Sequence, residues 1–281
     1  MSIARRMQMA AAGVSAGGGV VWTDPDLANA SYDSVSFSFA SQDGSPVCGI
    51  FSADGTKMFA LGFNSDTVYQ YGLTTAWDIS TASYDSVSLS VAAQDTTPTS
   101  VSFDATGLKM YIVGTTSDSV HQYSLTTAFD VSTASYDSVS FSVASQQNSP
   151  YDLSFSTTGT KMYVIGFQGD VVSQYTLSTA FDVSTASYDS VSFYVGSQEA
   201  TPMALTFNPD GNKMYVTGFS SDSVHQYSLS TGFDLSTASY DSVSFSVTGQ
   251  ETSPRSIAFK SDGSKMYITG PSDFILQYST A

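Results

Sequence analysis

The chain has 281 residues, a formal net charge of −16, 41% hydrophobic residues and only 12% charged residues. This negative charge repels a phosphate backbone and argues against nucleic-acid binding. No run of 18 apolar residues offers a membrane-spanning helix, and the single cysteine, Cys48, excludes an intramolecular disulfide. Cys48 falls in a predicted inner strand, where a buried thiol is favoured over a reactive one.

The first segment, residues 1–30, is predicted to be an arm that docks the protein to a partner. Residues 1–20 combine two arginines, an apolar stretch and small residues, as a signal peptide does. The stretch is interrupted by Gln8, Gly13 and Ser15, which argues against a cleaved signal peptide. An arm held by a partner protein is predicted instead. The docking residues predicted there are Arg5, Arg6, Met7 and Met9.

The remainder of the chain repeats with a fixed period. The marker Ser-Tyr-Asp-Ser-Val-Ser recurs every 52 residues (84 − 32 = 52), with its tyrosine at Tyr32, Tyr84, Tyr136, Tyr188 and Tyr240. A period of this size indicates a repeat architecture in which neighbouring units bury one another's apolar faces. Residues 31–281 are therefore predicted to form one domain.

Each repeat predicts four antiparallel strands. In residues 98–149, the strands are predicted at 98–103, 109–114, 120–125 and 135–143, with turns at 104–107 and 115–119 and a longer connection at 126–134. The second strand, KMYIVG, is apolar on both faces, as a central strand is, and the fourth alternates serine with apolar residues. Four short antiparallel strands per repeat predict an all-β fold, a five-bladed β-propeller.

The phase of the repeat predicts how the ring closes. The chain enters the repeats with a fourth strand, residues 31–40, and ends with a first, second and third strand. Pairing of residues 31–40 with residues 273–278 would complete the last blade and remove two exposed strand edges. Deletion of residues 1–40 is then expected to open the ring.

The stretch Thr206–Val224 (TFNPDGNKMYVTGFSSDSV) resembles the YVTN-type, lactonase-like propeller repeat, with Gly218 where that family usually has asparagine. The resemblance extends over residues 31–281. It implies a propeller fold and suggests lactonase activity. The arm is similar to the starts of marine tailed-phage virion proteins, which open with a short Arg-containing segment rich in Met, Ala and Gly.

Comparison of the five repeats separates a constant end of the ring from a variable end. The constant end carries the turn after each first strand and the connection after each third strand. The variable end carries the connection before each first strand and the turn between the second and third strands. Aromatic residues on a rim can stack on sugars or anchor a protein. The predicted rim residues are Phe63, Phe167, Phe219, Tyr151, Arg255 and Met203.

Charged positions mostly follow the repeat and are interpreted as scaffold. Four connections at the variable end carry an acid after a glutamine, namely Asp43, Asp95, Glu199 and Glu251, with Gln147 in the remaining repeat. These acids are expected to be solvated charges in turns. A rim of acids that binds a cation is the less favoured interpretation. The glutamines are expected to tie blades together, and the repeated lysines to pair with nearby aspartates. His121 and His225 lie two repeats apart, so a shared metal is not expected.

No catalytic cluster is evident, because the inner strands offer one carboxylate, Asp152, where propeller hydrolases need two or three. No cofactor or metal spacing is present. The sequence is therefore interpreted as a non-enzymatic structural or attachment protein of a tailed-phage virion, docked by its arm, with other virion proteins and a host surface as partners. A homo-oligomer in the particle is compatible with this. The alternatives are an extracellular, glycan-binding lectin and a lactonase-like hydrolase.

Overall fold

The computed structural model describes residues 21–281, which form twenty β-strands and five single-turn 3₁₀ helices. The strands make five separate four-stranded antiparallel sheets, numbered here as blades 1–5. The prediction of an all-β, five-bladed propeller is confirmed. In residues 98–149 the first two predicted strands match the observed ones, and the third and fourth differ by one residue at their ends.

The first strands of the blades are innermost, and the fourth strands are outermost. The first strands are β2 (Pro46–Phe51), β6 (Pro98–Phe103), β10 (Pro150–Phe155), β14 (Pro202–Phe207) and β18 (Ser256–Phe259). The second strands are β3 (Lys57–Gly62), β7 (Lys109–Gly114), β11 (Lys161–Gly166), β15 (Lys213–Gly218) and β19 (Lys265–Thr269). The third strands are β4 (Thr67–Leu73), β8 (Ser119–Leu125), β12 (Val171–Leu177), β16 (Ser223–Leu229) and β20 (Phe274–Ser279). The fourth strands are β5 (Ala82–Ser90), β9 (Ala134–Ser142), β13 (Ala186–Tyr194), β17 (Ala238–Ser246) and β1 (Ser31–Ser38).

The core lies between adjacent blades, which explains why no repeat can fold alone. The second strands are apolar on both faces because each is covered by two neighbouring blades. An aromatic residue of each second strand meets the phenylalanine of a neighbouring first strand. Tyr163 of blade 3 and Phe207 of blade 4, for example, have ring centroids 4.5 Å apart. Such tilted aromatic pairs contribute about 1 kcal/mol each beyond their buried area.

Ring closure occurs as the sequence predicts. β1 is the outer strand of blade 5 and pairs antiparallel with β20, from Ser31 opposite Ser279 to Ser38 opposite Phe274. Phe39, just after β1, is 1% exposed and packs between blades 5 and 1. Asp33 of β1 accepts a 2.6 Å charged hydrogen bond from Lys265. Backbone pairing, apolar packing and an ion pair therefore all join the two ends of the chain.

Residues 22–30, which the sequence analysis assigned to the arm, pack against blade 5. The Asp26 N–H donates to the carbonyl of Thr280 at 2.8 Å, and that of Thr23 donates to Asp262 at 3.0 Å. Leu27 is 1% exposed, in a 3₁₀ turn that matches those before the other fourth strands. This segment supplies the connection before β1, so the chain enters the ring at the constant end. The predicted docking residues Arg5, Arg6, Met7 and Met9 lie outside the described residues.

The repeated lysines belong to ties between blades. In blade 3, Lys161 Nζ lies 2.6 Å from Asp189, which also accepts from Gln174 Nε2 at 2.8 Å. The Gln174 carbonyl accepts the backbone N–H of Leu235 in blade 4 at 2.9 Å. The predicted lysine–aspartate pairing is confirmed in four blades, the others being Lys109–Asp137, Lys213–Asp241 and Lys265–Asp33. In blade 1, Lys57 instead donates to the carbonyl of Phe129.

The turns at the constant end require glycine. Gly159 has φ of +70°, and a Cβ there would lie 2.2 Å from the ring of Phe181, which covers the turn. The same arrangement recurs at Gly107 with Phe129 and at Gly211 with Phe233. The constant end is thus fixed by backbone geometry, and differences between the repeats are concentrated at the variable end.

Candidate functional site

The innermost strands bring one side chain of each blade to the axis of the ring. These side chains, named here the axial ring, stand at the third position of each first-strand segment and are Cys48, Ser100, Asp152, Ala204 and Ser256. They contact across blades: Ser256 Oγ accepts the Gly49 N–H at 3.0 Å, and Cys48 Sγ lies 3.8 Å from Ser100 Oγ. The axis is therefore filled by small, mostly polar side chains.

Asp152 is the one carboxylate of the axial ring. Its Oδ1 accepts from Ser100 Oγ at 2.6 Å and from its neighbour Leu153 N–H at 2.8 Å, and its Oδ2 accepts from Leu205 N–H at 2.9 Å. Burial raises the pKa of Asp152 to about 7, although these three hydrogen bonds oppose the shift. The residue keeps partial access to solvent, unlike Cys48, Ser100 and Ser256. The axis thus holds a carboxyl group that changes charge near neutral pH.

Cys48 is a buried neighbour of this carboxyl group. Burial raises the pKa of the Cys48 thiol to about 12, and the Asp152 charge acts in the same direction. The neutral thiol lies 3.9 Å from the Val101 carbonyl. The interpretation of Cys48 as a buried small residue is confirmed, because a thiolate is needed for reactivity.

A second set of side chains, named the mouth ring, precedes the axial ring by one residue at the variable end: Val47, Thr99, Tyr151, Met203 and Arg255. Arg255 is the one arginine in residues 21–281. Its guanidinium carbon lies 5.7 Å from the Phe219 ring centroid, and Nη1 donates to Ser45 Oγ at 3.3 Å. Burial lowers the pKa of Arg255, with Glu251 opposing. Burial raises the pKa of Tyr151, and the Arg255 charge opposes this shift, so a half-buried cation and a phenol lie near the axis.

The predicted rim residues differ in exposure and in partners. Phe63 is 43% exposed and Phe167 is 36% exposed, whereas Met203 is buried. Tyr151 and Phe167 form a pair with ring centroids 4.2 Å apart, and Phe219 lies under Arg255. Phe63 stands apart from these pairs, in blade 1. The structure therefore brings together two pairs from the predicted set, both near the mouth of the axis.

The acids of the variable-end connections are buried, so the expectation of solvated turn charge is wrong. Glu199 is fully buried and accepts from the N–H groups of Thr201, Ser220 and Ser221 and from the Ser221 hydroxyl. Each acid joins its connection to the turn between the second and third strands, with Asp43, Asp95 and Glu251 making equivalent bonds. The carboxylates are occupied by backbone donors, which sequence spacing does not reveal.

Four of the five repeated glutamines and both histidines have structural partners. Tyr123 OH donates to Gln94 at 2.7 Å, which ties the connection between blades 1 and 2 to the third strand of blade 2, as expected.

His121 Nε2 lies 2.9 Å from Ser117 Oγ, and His225 makes the same contact with Ser221. Burial lowers the pKa of both histidines. Within residues 21–281, no group of three metal-ligating side chains comes together.

Two open depressions of the surface lie at the constant end. One is lined by Thr23, Asp24 and Asp262, and the other lies between blades 3 and 4, where Lys161 and Asp189 already bind each other. Neither includes a residue of the axial ring or mouth ring.

Among the described residues, no helix is both long and apolar enough to span a bilayer.

The fold and the axis define the class of protein: a closed, five-bladed β-propeller with a titratable carboxyl group at its centre. Residues 51–271 match the model of the family described as "Lactonase, 7-bladed beta-propeller". The chain belongs to this lactonase family. The description specifies seven blades, whereas this chain closes its ring with five.

Solved structures agree on the fold. A candidate 6-phosphogluconolactonase from Bacteroides uniformis is 13% identical, with a TM-score of 0.51, over 80% of this chain and 64% of its own. One from Bacteroides fragilis is 14% identical, with a TM-score of 0.50, over 76% and 60%. A protein from Lactobacillus plantarum is 11% identical, with a TM-score of 0.52, over 80% and 64%. The chain spans less than two thirds of each structure. No curated protein sequence matches it.

The family corrects one prediction from the sequence. The absence of two or three converging carboxylates was interpreted as the absence of an enzyme, but the family to which the chain belongs is described by a hydrolytic activity. That prediction rested on the number of carboxylates, whereas the axis holds a single one, Asp152. One acid with a pKa near neutrality can act as a general base without a second.

Proposed function

We propose that this propeller hydrolyses a small lactone at the variable-end mouth of its axis, with Asp152 as the general base. The observation that carries the proposal is the position of Asp152, the one axial carboxyl group, which is reachable by water and has a pKa of about 7. A base with this pKa is suited to proton transfer near neutral pH. Three acceptor positions on the carboxylate are occupied, which leaves room for one water.

The reaction needs only water and the lactone. Asp152 removes a proton from a water molecule as its oxygen attacks the lactone carbonyl carbon. The tetrahedral intermediate collapses with cleavage of the ring C–O bond, and the departing alkoxide takes the proton from the Asp152 carboxyl group. The product is an open-chain hydroxy acid.

Arg255 provides a binding group for an anionic substituent. It is the single arginine of the described residues in a chain of net charge −16, and it is half-buried beside Phe219 and Tyr151. An arginine in a partly desolvated site binds phosphate or carboxylate through paired hydrogen bonds. Two of the similar structures are named candidate 6-phosphogluconolactonases, and a phosphorylated sugar lactone has the charge that Arg255 would recognise.

Lactone hydrolysis by purified protein tests this function. We expect hydrolysis of 6-phosphogluconolactone, with a rate that rises with pH through about 7, because the base acts when deprotonated. Asp152→Asn is expected to lower kcat/KM by roughly 10²–10⁴-fold, and Arg255→Gln to raise KM for the phosphorylated lactone more than for gluconolactone. Asp210→Asn, at an exposed constant-end turn, is the matched control. Undiminished hydrolysis by the Asp152 variant would exclude Asp152 as the base.

The attachment role predicted from the arm is a second proposal, and it is compatible with hydrolysis. Trp22 packs edge-on against Phe259, so the chain joins the ring at the constant end, opposite the mouth of the axis. An arm that docks to a virion through Arg5, Arg6, Met7 and Met9 would therefore direct the mouth outward.

Particle composition tests the attachment role. Mass spectrometry of purified phage particles is expected to detect the full chain and to lose it when residues 1–20 are deleted. Retention of the truncated chain on particles, or absence of the full chain, contradicts docking by the arm.

A further inference from the structure

Departures from the repeat are concentrated at the variable end of blade 3. Blade 3 has Tyr151 in the mouth ring, Gln147 where the other blades have an acid, and Phe167-Gln168-Gly169 in the turn between its second and third strands. It also has Tyr194 where the other fourth strands have serine, at Ser38, Ser90, Ser142 and Ser246. Scaffold residues repeat in every blade, so a group of exceptions within one blade requires another explanation.

The first element of this surface is an aromatic pair. The rings of Tyr151 and Phe167 lie 4.2 Å apart with planes inclined by 33°. Phe167 is 36% exposed, and Tyr151 is half-buried on the side of the axis. The pair therefore presents apolar ring surface to solvent between the turn and the mouth ring. Folding gains little from rings left in this position.

The second element is Tyr194 together with Gly196. Tyr194 is 56% exposed at the end of β13. A Cβ at position 196 would lie 2.5 Å from the Tyr194 ring, so the glycine allows the ring to lie against the backbone of the variable-end connection. The other blades have alanine or threonine there, at Ala40, Ala92, Ala144 and Thr248. The two exceptions thus act together to hold an exposed ring over the variable end.

The third element is a group of amides. The Gln168 side-chain carbonyl accepts the Asn148 N–H at 2.9 Å, and the Gln168 N–H donates to Gln147 at 3.2 Å. Asn148 and Gln168 are exposed. Gln147 therefore replaces the carboxylate of the other four blades, and Asn148 and Gln168 add two exposed amides beside it. Amides both donate and accept hydrogen bonds, which suits hydroxyl groups.

We propose that the variable end of blade 3 binds an oligosaccharide along a track formed by Tyr194, Phe167 and Tyr151, with Gln168 and Asn148 beside it. Pyranose rings present C–H faces that stack on aromatic rings, while their hydroxyl groups bond to amides. Three strand spacings of about 4.8 Å separate the outer and inner strands of a blade, or roughly 14 Å in all. This distance exceeds one sugar ring and fits a short chain. The track goes beyond lactone hydrolysis and does not depend on it.

Glycan-array binding followed by calorimetry tests the track. The wild type is expected to bind a defined set of neutral oligosaccharides. Tyr194→Ser and Phe167→Thr, each of which installs a residue used by another blade at that position, are expected to lower affinity at least about tenfold. Phe63→Thr is the matched control, because Phe63 occupies the Phe167 position in blade 1 and is at least as exposed. Hydrolysis of a small lactone should be unaffected by Tyr194→Ser.

Three results would overturn the proposal. The first is a wild-type protein that binds no glycan on the array. The second is an equal loss of affinity in the Phe63 variant, which would indicate diffuse apolar adsorption. The third is unchanged affinity in both blade-3 variants while their thermal midpoints match the wild type. Failure of the hydrolysis assay alone does not contradict oligosaccharide binding, because binding is tested with the Tyr194 and Phe167 variants and hydrolysis with the Asp152 and Arg255 variants.

Discussion

Removal of residues 1–40 is expected to abolish folding, whereas removal of residues 1–20 is expected to leave the melting temperature of the propeller unchanged. The longer deletion removes β1, the buried side chains of Leu27 and Phe39, and the Asp33–Lys265 ion pair. It also exposes β20 as an unpaired edge. Burial of each large apolar side chain contributes about 1.5–3 kcal/mol, and domains are stable by only about 5–15 kcal/mol.

Circular dichroism and size-exclusion chromatography of the two truncations provide the measurement. A circular permutant that begins at Pro46 and carries residues 22–45 after Ala281, through a short linker, is the control. In this permutant β1 follows β20 along the chain, as the fourth strand follows the third in the other blades. The permutant is therefore expected to melt as a single cooperative domain. A 1–40 truncation with wild-type melting behaviour contradicts closure by β1.

Replacement of Asp152 by asparagine is expected to remove a large part of the pH dependence of stability. Burial raises the pKa of Asp152 from 3.8 to about 7 in the folded protein, so the folded state binds the proton more tightly than the unfolded chain. The resulting stabilisation is fully present below pH 4 and is lost as the pH rises through 7. At about 1.4 kcal/mol per pKa unit, the stability difference between variant and wild type should change by roughly 2–4 kcal/mol over this range.

Urea unfolding of both proteins between pH 4 and pH 8.5 measures this change. The asparagine variant loses one acceptor for the Leu205 N–H, which lowers its stability by about 1 kcal/mol at every pH. The pH-dependent difference is therefore the informative quantity. Parallel stability curves for the variant and the wild type would show that Asp152 titrates normally, and the Asp210→Asn control should run parallel to the wild type.

The sequence was sufficient to predict the blades and their closure, because both follow from the period and from the order of strand types along residues 31–281. Strand type followed from local patterns, such as KMYIVG for a central strand. The segment 22–30 was missed, because Pro25 and Asn29 differ from the repeat, although Asp26 and Leu27 keep its register with Asp78 and Ile79 (78 − 26 = 52).

The site was less predictable because it depends on which side chains meet across blades. The environment of Asp152 is made by Ser100 and Leu205, each 52 or 53 residues away. The buried acids were misjudged, because their donors lie in a second turn about 20 residues on. Tyr194 was overlooked, although a tyrosine in a column of serines, with a glycine two residues later, was a visible signal.

The pairing of β1 with β20 also affects how the protein is made. Ser31 and its partner Ser279 are 248 residues apart (279 − 31 = 248), so β1 leaves the ribosome long before β20 does. At a translation rate of about 5–20 residues per second, β1 waits roughly 10–50 s. Ser34, at φ of 58°, breaks its register at a bulge, which discourages association with strands of other nascent chains. The ring therefore closes only after β20 has been synthesised.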